Sequence, residues 1–462
     1  MPYLLVPQEV SATTAVIWIG VIDEDFDPER FDPAQWVLRS DIGPHALHPQ
    51  WQRWVSRNGA HRLAYQRVTL GNLQARRAYA VTLHVNGEPR ASARVTTLPA
   101  RLPTVDEKPF TVLLGSCFCR REDKAGTVGR TYSQIPAGAR PEVKLLCGDQ
   151  VYLDDPWHHY LAHTHTAEEL EGEFFSNYHD TWAQQGGFQE LLRDGANYFT
   201  SDDHELWNNA PNRASVIRDT WPIFDKRREW LDAARRLYQA FQTPAMTTSF
   251  SVGPLSCFLA DTRMNRQSDR TTFMQDADLE AVGTWVNGLR GPGILVVGQP
   301  VLRGETNVLR GHFFDWGLPD YEQYGRLVRL LASSSHSIVI LTGDVHYGRI
   351  ARCALSSGNE LIEVISSPMS LVDKAAEGTW EKAPAFFPAF DVSAAGAPTV
   401  IKAEIHTQEE SRFAPTYRHF LTLEFSAAGA RVVMAVKVWP VAREGGVPSS
   451  DFGKTVYQTT LQ

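Results

Sequence analysis

The chain has 462 residues, of which 43% are hydrophobic and 21% charged, and its formal net charge is -8 at pH 7. That length accommodates two or three domains with a large core. The acidic balance disfavours a general nucleic-acid binder, which needs a basic face. The five cysteines include no Cys-x-x-Cys pair, which disfavours a disulfide framework.

The first residues lack the basic region and the apolar segment of a secretory leader, and they contain no twin-arginine start. No stretch approaches the ~18 uninterrupted apolar residues of a membrane span. We therefore expect a cytoplasmic protein without a transmembrane segment. Export of a processed form stays open.

Residues 1–100 are predicted to form an all-β domain. Apolar runs at 15–21 and 78–85 predict strands, and Asn86-Gly87 predicts a type I′ hairpin after the second run. Tyr79 has the spacing of a tyrosine corner, so this segment resembles a fibronectin type III domain. A long insertion over 22–66 departs from that pattern and carries three tryptophans that we interpret as packing residues: Trp36, Trp51 and Trp54.

A proline-bearing linker follows at 98–103, and residues 101–462 are predicted to form a second domain. Strands alternate there with helical patterns, which favours an α/β fold. A capping box at Thr166 predicts the start of a helix. Further helices are predicted over 213–241 with an interruption at Pro222, over 276–289 and over 320–333, and β alternation returns over 420–439.

Four apolar runs in this second domain end in polar side chains. Cys117 follows the run at 110–114, and Asp149 and Tyr152 follow the run at 143–147. The tetrad 202–205 follows the run at 197–200, and the tetrad 343–346 follows the run at 337–341. Such side chains are costly to bury unless they are paired, hydrogen-bonded or metal-bound. Open α/β sheets place their chemistry at the carboxyl ends of strands. We therefore expect one site there.

These side chains fit a site for two metal ions. Two cations ~3.5–4 Å apart can hold a phosphate ester and activate water, and they need hard carboxylates and some imidazole. That set is present as Asp149, Asp203, Asp344 and His346. The alternative is that these groups are loop caps and buried ion pairs.

Three further residues refine the predicted chemistry. Tyr152 can place a phenolate beside the cation held by Asp149, and a thiolate from Cys117 together with that phenolate favours iron over magnesium. His204 lies between two acids and is a candidate general acid for the leaving oxygen. Cys117 as a core thiol and Tyr152 as a packing aromatic remain open.

Five motifs occur in the order typical of one enzyme family. These are Ser-Cys, Gly-Asp-x-x-Tyr, Asp-Asp-His-Glu followed by Asn-Asn, Asp-Thr-Arg and Gly-Asp-Val-His. The chain thus resembles the PhoD-like alkaline phosphatases, a branch of the calcineurin-like metallophosphoesterase superfamily, over about 110–440. The resemblance implies a two-sheet α/β sandwich flanked by helices and preceded by a small β domain.

The resemblance also implies roles for single residues. Cys117, Asp149 and Tyr152 would bind a ferric ion, and Asp149 would bridge to one or two divalent cations. These would be Ca2+ by resemblance, with Mg2+, Mn2+ or Zn2+ as alternatives. Asp203, which stands where the family usually has Asn, would complete the metal ligands together with Asp344 and His346. His204 matches the catalytic histidine.

A guanidinium is also implied at the site. Arg263, in the Asp-Thr-Arg motif, could clamp phosphate bidentately. The alternative is a structural salt bridge.

Two further features are expected near the site, and the first departs from the family pattern. Phe118 stands where the family usually has Gln, near the expected substrate mouth. Four histidines precede the capping box, and we interpret them as a solvated loop: His158, His159, His163 and His165.

The resulting hypothesis is hydrolysis of phosphate monoesters or diesters by a metal-bound hydroxide at a mixed-metal site. The substrate would be a small-molecule phosphate ester, with nucleotides and phospholipid headgroups as candidates and nucleic acid disfavoured. The alternative is a catalytically degenerate binding protein of the same fold. The sequence does not choose between monoesters and diesters or fix the oligomeric state.

Overall fold

The computed structural model describes residues 3–22, 32–155, 165–214, 217–221, 226–304, 306, 315–355, 357–370, 418–441 and 449–462. This part of the chain forms four β-sheets with helices packed against two of them. None of its helices combines the length and the low polarity that a membrane crossing requires.

The N-terminal strands form two four-stranded antiparallel sheets with the orders β1-β2-β6-β5 and β4-β3-β7-β8. Because alternate residues of a strand face opposite sides, each sheet contributes one apolar face to a shared core. The strands are β1 (Tyr3–Val10), β2 (Ala15–Val21), β3 (Trp36–Ser40), β4 (Gly43–His45), β5 (Gln52–Val55), β6 (Arg62–Leu70), β7 (Ala78–Val85) and β8 (Glu88–Thr96).

Local predictions for this region are confirmed. Asn86 and Gly87 have φ values of 54° and 82°, as a type I′ turn requires. The Tyr79 hydroxyl accepts a hydrogen bond from the Gln74 amide at 2.7 Å, which makes a tyrosine corner. The three tryptophans of the insertion are buried packing residues. The fibronectin type III resemblance and the domain boundary at residue 100 stay predictions.

Two six-stranded sheets follow, with the orders β11-β10-β9-β18-β19-β20 and β12-β13-β14-β15-β17-β16. The strands β9, β10 and β11 run parallel in the first sheet, as do β13, β14, β15 and β17 in the second. The strands are β9 (Phe110–Gly115), β10 (Val143–Cys147), β11 (Ala196–Thr200), β12 (Thr247–Val252), β13 (Leu255–Ala260), β14 (Gly293–Val296), β15 (Ile338–Thr342), β16 (Arg349–Ala354), β17 (Glu360–Ile365), β18 (His419–Ala428), β19 (Arg431–Pro440) and β20 (Lys454–Leu461).

The two larger sheets pack face to face between layers of helices. Leu145 of β10 joins the core shared with the second sheet, whereas Leu146 joins the cluster that contains α2 and α4. A third cluster covers the far side of the second sheet with α5 and α6. The helices are α1 (Thr127–Ser133), α2 (Ala167–Trp182), α3 (Phe188–Leu192), α4 (Lys226–Phe241), α5 (Asp276–Asn287) and α6 (Tyr324–Ala332).

The helix predictions are confirmed with one difference. The α2 helix begins at the predicted capping box, in which Thr166 accepts from the Glu169 amide and Glu169 accepts from the Thr166 amide. The long helix predicted from 213 is shorter, because residues 218–220 form a separate 3-10 turn and α4 begins at Lys226.

Candidate functional site

The predicted strand ends meet at one edge of the sandwich. Cys117 follows β9, Asp149 follows β10 and Asp203 follows β11, while Asp344 follows β15 of the other sheet. Carboxylate oxygens of Asp149, Asp203 and Asp344 lie within 4.8 Å of one another, together with one from Asp202. The thiol of Cys117 lies 3.3 Å from Oδ2 of Asp149. The sequence therefore brings these four strand ends together as predicted.

Glycines allow the loops to approach so closely. A Cβ on Gly148, whose φ is 85°, would lie 2.4 Å from Cβ of Asp202. A Cβ on Gly343 would lie 2.3 Å from Ser116 and 2.9 Å from the Cys147 carbonyl oxygen. Any other residue at either position would push the ligand-bearing loops apart.

The clustered carboxyl groups have raised pKa values. Burial raises the pKa of Asp149 well above its usual range, and Asp203 adds to the rise while His204 opposes it. Burial likewise raises the pKa of Asp202 to about 7 and that of Asp203 to about 6. Crowded buried carboxylates are costly to ionise together without positive charge, so this group is suited to cations.

Glu205 holds two of these loops in place. Its buried carboxylate accepts hydrogen bonds from the backbone amides of Asp149 at 2.8 Å, Gln150 at 2.7 Å and Asp202 at 2.9 Å. Gln242 adds a side-chain donor at 3.2 Å. Glu205 is therefore a positioning residue that fixes the spacing between the ends of β10 and β11.

His204 lies beside the cluster and is oriented by Asp154. Oδ1 of Asp154 lies 2.7 Å from Nδ1 of His204, and Oδ2 accepts from the Asn208 amide at 2.8 Å. Burial alone lowers the pKa of His204, but Asp154, Asp203 and Asp149 outweigh it and raise that pKa well above its usual value. The imidazole is thus oriented by Asp154, and it also lies within ligand range of Asp149 and Asp203.

The buried side chain of Tyr152 ends in a hydroxyl that has no hydrogen-bond partner among the described residues. Its ring lies 4.1 Å from the ring of His204, centroid to centroid. Burial raises its pKa, and the nearby groups of Cys117 and Asp149 raise it further. A buried hydroxyl without a hydrogen-bond partner is unfavourable unless another group binds it.

Cys117 is tied to the loop that carries the second tetrad. Its sulfur accepts from the Ser367 hydroxyl at 3.1 Å, and that hydroxyl also accepts from the His346 amide at 3.0 Å. Burial raises the pKa of the Cys117 thiol, and the carboxylates of Asp149 and Asp344 add to the rise. A thiolate there requires a compensating positive charge.

These observations fit a metal centre. The orphan oxygens Oη of Tyr152 and Oδ2 of Asp202 accompany a thiol and four mutually close carboxylates. Hard oxygen donors with one thiolate and one phenolate suit an iron or mixed-metal site. His346 and the Cys117 sulfur belong to neither close group of candidate ligands within the described residues, although that sulfur lies 3.3 Å from Asp149.

Arg263 differs from the predicted phosphate clamp. Its side chain is fully buried, and Nε donates to Asp202 at 2.7 Å while Nη1 donates to the Ala210 carbonyl at 2.6 Å. Nη1 and Nη2 form a fork to Asp315 at 3.1 and 2.5 Å. Four of its five N–H groups are thus engaged with protein acceptors, which is the pattern of the salt-bridge alternative.

Gln299 links this ion pair to the cluster. Its side-chain amide donates to Oδ2 of Asp344 at 2.9 Å and also to Asp315. Although burial opposes it, Arg263 holds the pKa of Asp315 below its usual value. The chain Arg263–Asp315–Gln299 therefore positions the carboxylate of Asp344.

One neighbouring expectation stays untested and one is wrong. Phe118 is fully buried and stacks on Phe188 with ring centroids 4.0 Å apart, and its closeness to a substrate mouth stays a prediction. His165 is not solvated, since it is buried with Nδ1 3.1 Å from the Asp219 carboxylate. The other three histidines of that segment lie outside the described residues.

Sequence reasoning assigned no role to several supporting residues. Asp154 was detectable, since it follows the Gly-Asp-x-x-Tyr motif within two positions. Glu205 belongs to the first tetrad, but its backbone partners lie 55 and 56 residues away. Gln299 and Asp315 have no local signal, because their partners come from β15 and from the loop after β13.

Comparisons with known proteins bear on the fold. The structure of PhoD is similar to this chain with a TM-score of 0.60 and 16% identity, covering 97% of this chain and 94% of that one. The structure of GAP50, the anchor in the inner membrane complex of Plasmodium, gives a TM-score of 0.36 at 10% identity over 76% of this chain and 88% of that one. No family model and no curated protein matches the sequence significantly. The chain therefore has a PhoD-like fold, with a carboxylate cluster at its strand ends that could bind metal.

Proposed function

We propose that this protein hydrolyses phosphate esters at a metal-dependent site formed by the ends of β9, β10, β11 and β15. The observation that carries the proposal is the group of four mutually close carboxylates, three of them buried and that of Asp344 half-buried, beside the thiol of Cys117 and the hydroxyl of Tyr152, which has no partner among the described residues. The PhoD-like fold supports it, since the same strand ends are expected to carry the chemistry.

The proposed ligands divide into two sets. Cys117, Asp149 and Tyr152 would hold a ferric ion, and Asp203 and Asp344 would hold one or two divalent cations with Asp149 shared between the sets. His346 would join them after a shift of its loop. The divalent ion would be Ca2+, Mg2+, Mn2+ or Zn2+. Bound cations would neutralise charge on the phosphoryl group and activate water.

His204 is the proposed proton donor to the leaving oxygen. Its protonated form is favoured by Asp154 and Asp203, and Asp154 fixes the ring through Nδ1, which leaves Nε2 for the substrate. Arg263 is proposed as a positioning residue rather than a clamp, because its donors already bind Asp202, Asp315 and a carbonyl oxygen. The substrate is proposed to be a small phosphate monoester or diester.

The test measures the metal content and the turnover of the same purified protein. We expect the purified protein to contain iron, to show a visible phenolate-to-iron absorption band, and to hydrolyse p-nitrophenyl phosphate or its bis ester. Asp149→Ala and Asp344→Ala should each lower turnover by about 100-fold or more. Asp106→Ala, at an exposed position, is the matched control and should behave like the wild type.

The outcomes separate the parts of the proposal. A colourless, iron-free protein with full activity would rule out the proposed ferric ion. Unchanged turnover in both Asp149→Ala and Asp344→Ala, with folding intact, would rule out the proposed site. A protein with neither bound metal nor hydrolysis of either ester would be a binding protein of this fold.

A further inference from the structure

A cavity with charged residues in its lining lies between the N-terminal β-sandwich and the larger domain, away from the carboxylate cluster. Its volume is ≈ 300 Å³. Ser92 and Arg94 of β8 line one side, and Tyr132 of α1 lines the other with Arg140 and Arg193. Nothing in the proposed hydrolysis uses these residues.

The charges around this cavity do not balance. Three guanidiniums face two carboxylates, and two ion pairs account for four of these groups. Arg140 lies 3.3 Å from Asp194, and Arg193 lies 2.5 Å from Glu190. Arg94 is the remaining charge, since its exposed side chain has no hydrogen bond or ion pair within the described parts of the chain. A locally positive cavity contrasts with the net charge of -8 of the whole chain.

The carboxylate of Asp194 is already occupied by donors. Its Oδ2 accepts from the Tyr132 hydroxyl at 3.1 Å in addition to Arg140. Nζ of Lys144 lies beneath it and donates to the backbone oxygens of Asp194 and Gly195. Asp194 is therefore held inside a group of cations and donors rather than available to neutralise Arg94.

Backbone hydrogen bonds fix the main chains of two of these arginines next to each other. The Arg94 amide donates to the Arg193 carbonyl at 2.8 Å, and the Gly195 amide donates to the Arg94 carbonyl at 2.7 Å. Arg94 lies in β8, and Arg193 lies in the turn that ends α3. The two main chains are thus in place before any ligand arrives, which reduces the entropy lost on binding.

We propose that this cavity binds a phosphate group through Arg94, with Arg140 and Arg193 as additional donors. Guanidinium groups match phosphate oxygens in charge and geometry, and their charge-assisted hydrogen bonds are stronger than neutral ones. The ligand is either free inorganic phosphate or the phosphoryl group of a small organic phosphate. The inference is independent of the proposed hydrolysis, since no residue is shared between the two sites.

A buried ammonium lies behind the cavity wall that Tyr132 and Asp194 form. Nζ of Lys144 donates to the backbone oxygens of Asp194 and Gly195 and lies 5.7 Å from the centre of the Tyr132 ring, and no carboxylate hydrogen-bonds to it among the described residues. Lys144 does not line the cavity, so the three arginines carry the proposed binding.

The test measures phosphate binding to the full-length protein by calorimetry. The wild type is compared with Arg94→Ala and with Arg90→Ala, a control on the same strand whose exposed side chain lies outside the cavity. We expect phosphate to bind this site at least about tenfold more weakly in Arg94→Ala, and unchanged in Arg90→Ala. Crystals soaked in tungstate should show the heavy atom beside Arg94 in the wild type only. Arg94→Gln should repeat the Arg94→Ala result.

A parallel titration with methylphosphonate distinguishes the two sources of the ligand. Binding of both compounds indicates that organic phosphates are accepted, whereas binding of inorganic phosphate alone indicates the free ion. Equal phosphate affinity and stoichiometry in the wild type and Arg94→Ala would overturn the inference, as would tungstate found only at the carboxylate cluster. Arg94-dependent binding in a protein that hydrolyses no ester would leave this inference standing and remove the proposed function.

Discussion

Four residues of the candidate site have a left-handed backbone conformation. The φ values are 55° for Cys117, 56° for Asp149, 69° for Asp344 and 57° for His346. Such a conformation costs about 1–3 kcal/mol for a residue with a side chain and persists where the surroundings enforce it. The enforcing contacts are present, because Glu205 binds the Asp149 amide and Ser367 binds the His346 amide. Two of these strained residues, Asp149 and Asp344, bring their carboxylates close together, whereas His346 lies outside that group.

The contact between Asp154 and His204 predicts a defined kinetic change. In Asp154→Asn the neutral amide no longer raises the pKa of His204, so the protonated imidazole is lost at lower pH. We expect kcat for p-nitrophenyl phosphate to fall by about 10- to 100-fold, and the alkaline limb of the pH–rate profile to move to lower pH. Both are measured in one steady-state pH series.

Asp155→Asn is the matched control, because Asp155 is the next residue and pairs at 2.9 Å with the exposed Arg121. Its profile should overlay that of the wild type. An Asp154→Asn profile with an unmoved alkaline limb would mean that His204 is not the titrating acid.

The sequence predicted those residues of the candidate site that directly follow a predicted strand. Cys117, Asp149 and Asp203 follow apolar runs directly, so the parallel pairing of β9, β10 and β11 brings them to one edge. Asp344 follows β15 of the other sheet, so it reaches them only because the two sheets pack face to face. The role of Arg263 was not predictable, because whether a guanidinium faces substrate or protein depends on Asp202 and Asp315, which are distant in the chain.

At the scale of elements, β10 joins the two sites that we propose. It begins near the phosphate cavity with Lys144 and ends at Gly148 and Asp149 in the carboxylate cluster. Its five residues are all buried, so its alternation places Lys144 among apolar neighbours. The apolar run predicted the strand, but not that a lysine inside it would be completely buried.

Lys144 predicts that stability increases with pH above neutrality. Its folded pKa is about 7 and lies below the ordinary lysine value of 10.5, so between those pH values the unfolded chain binds the proton that the folded chain has released. The free energy of unfolding therefore rises with pH across that interval. We expect the difference between wild type and Lys144→Met, measured by urea unfolding, to shift in favour of the wild type from pH 7 to about 10.

Lys108→Met provides the control, because Lys108 is partly exposed and pairs with Glu142 at 2.9 Å. Its difference from the wild type should show no comparable rise over this interval. A Lys144→Met difference that stays constant with pH would show that Lys144 titrates normally in the folded protein.

For the whole molecule, the N-terminal sandwich shares its core with the larger sheets, since Leu5 and Val68 belong to the same apolar cluster as Leu145 and Val339. The linker at 98–103 stays a prediction, and its prolines did not reveal this shared core. Only long-range contacts determine whether two predicted domains share one interior.

Polar contacts strengthen the same junction. Glu171 of α2 is buried and binds Arg57 of the sandwich at 3.3 Å and Arg236 of α4 at 2.9 Å. Trp18 of β2 is fully buried and donates to the Ala240 carbonyl of α4 at 2.9 Å. A charged group that loses its partners in such a junction is costly, so separation of the two parts is expected to accompany unfolding.

This junction predicts that the sandwich and the larger domain unfold together. Differential scanning calorimetry should show one transition for the wild type, and Trp18→Ala should move that whole transition to lower temperature. The loss should be about 3–5 kcal/mol, since the substitution removes a large buried ring and its hydrogen bond. Val105→Ala, at a side chain that is 57% exposed, should leave the transition in place. Two transitions in the wild type, of which Trp18→Ala moves only one, would mean that each part is stable alone and that the shared core contributes little to either.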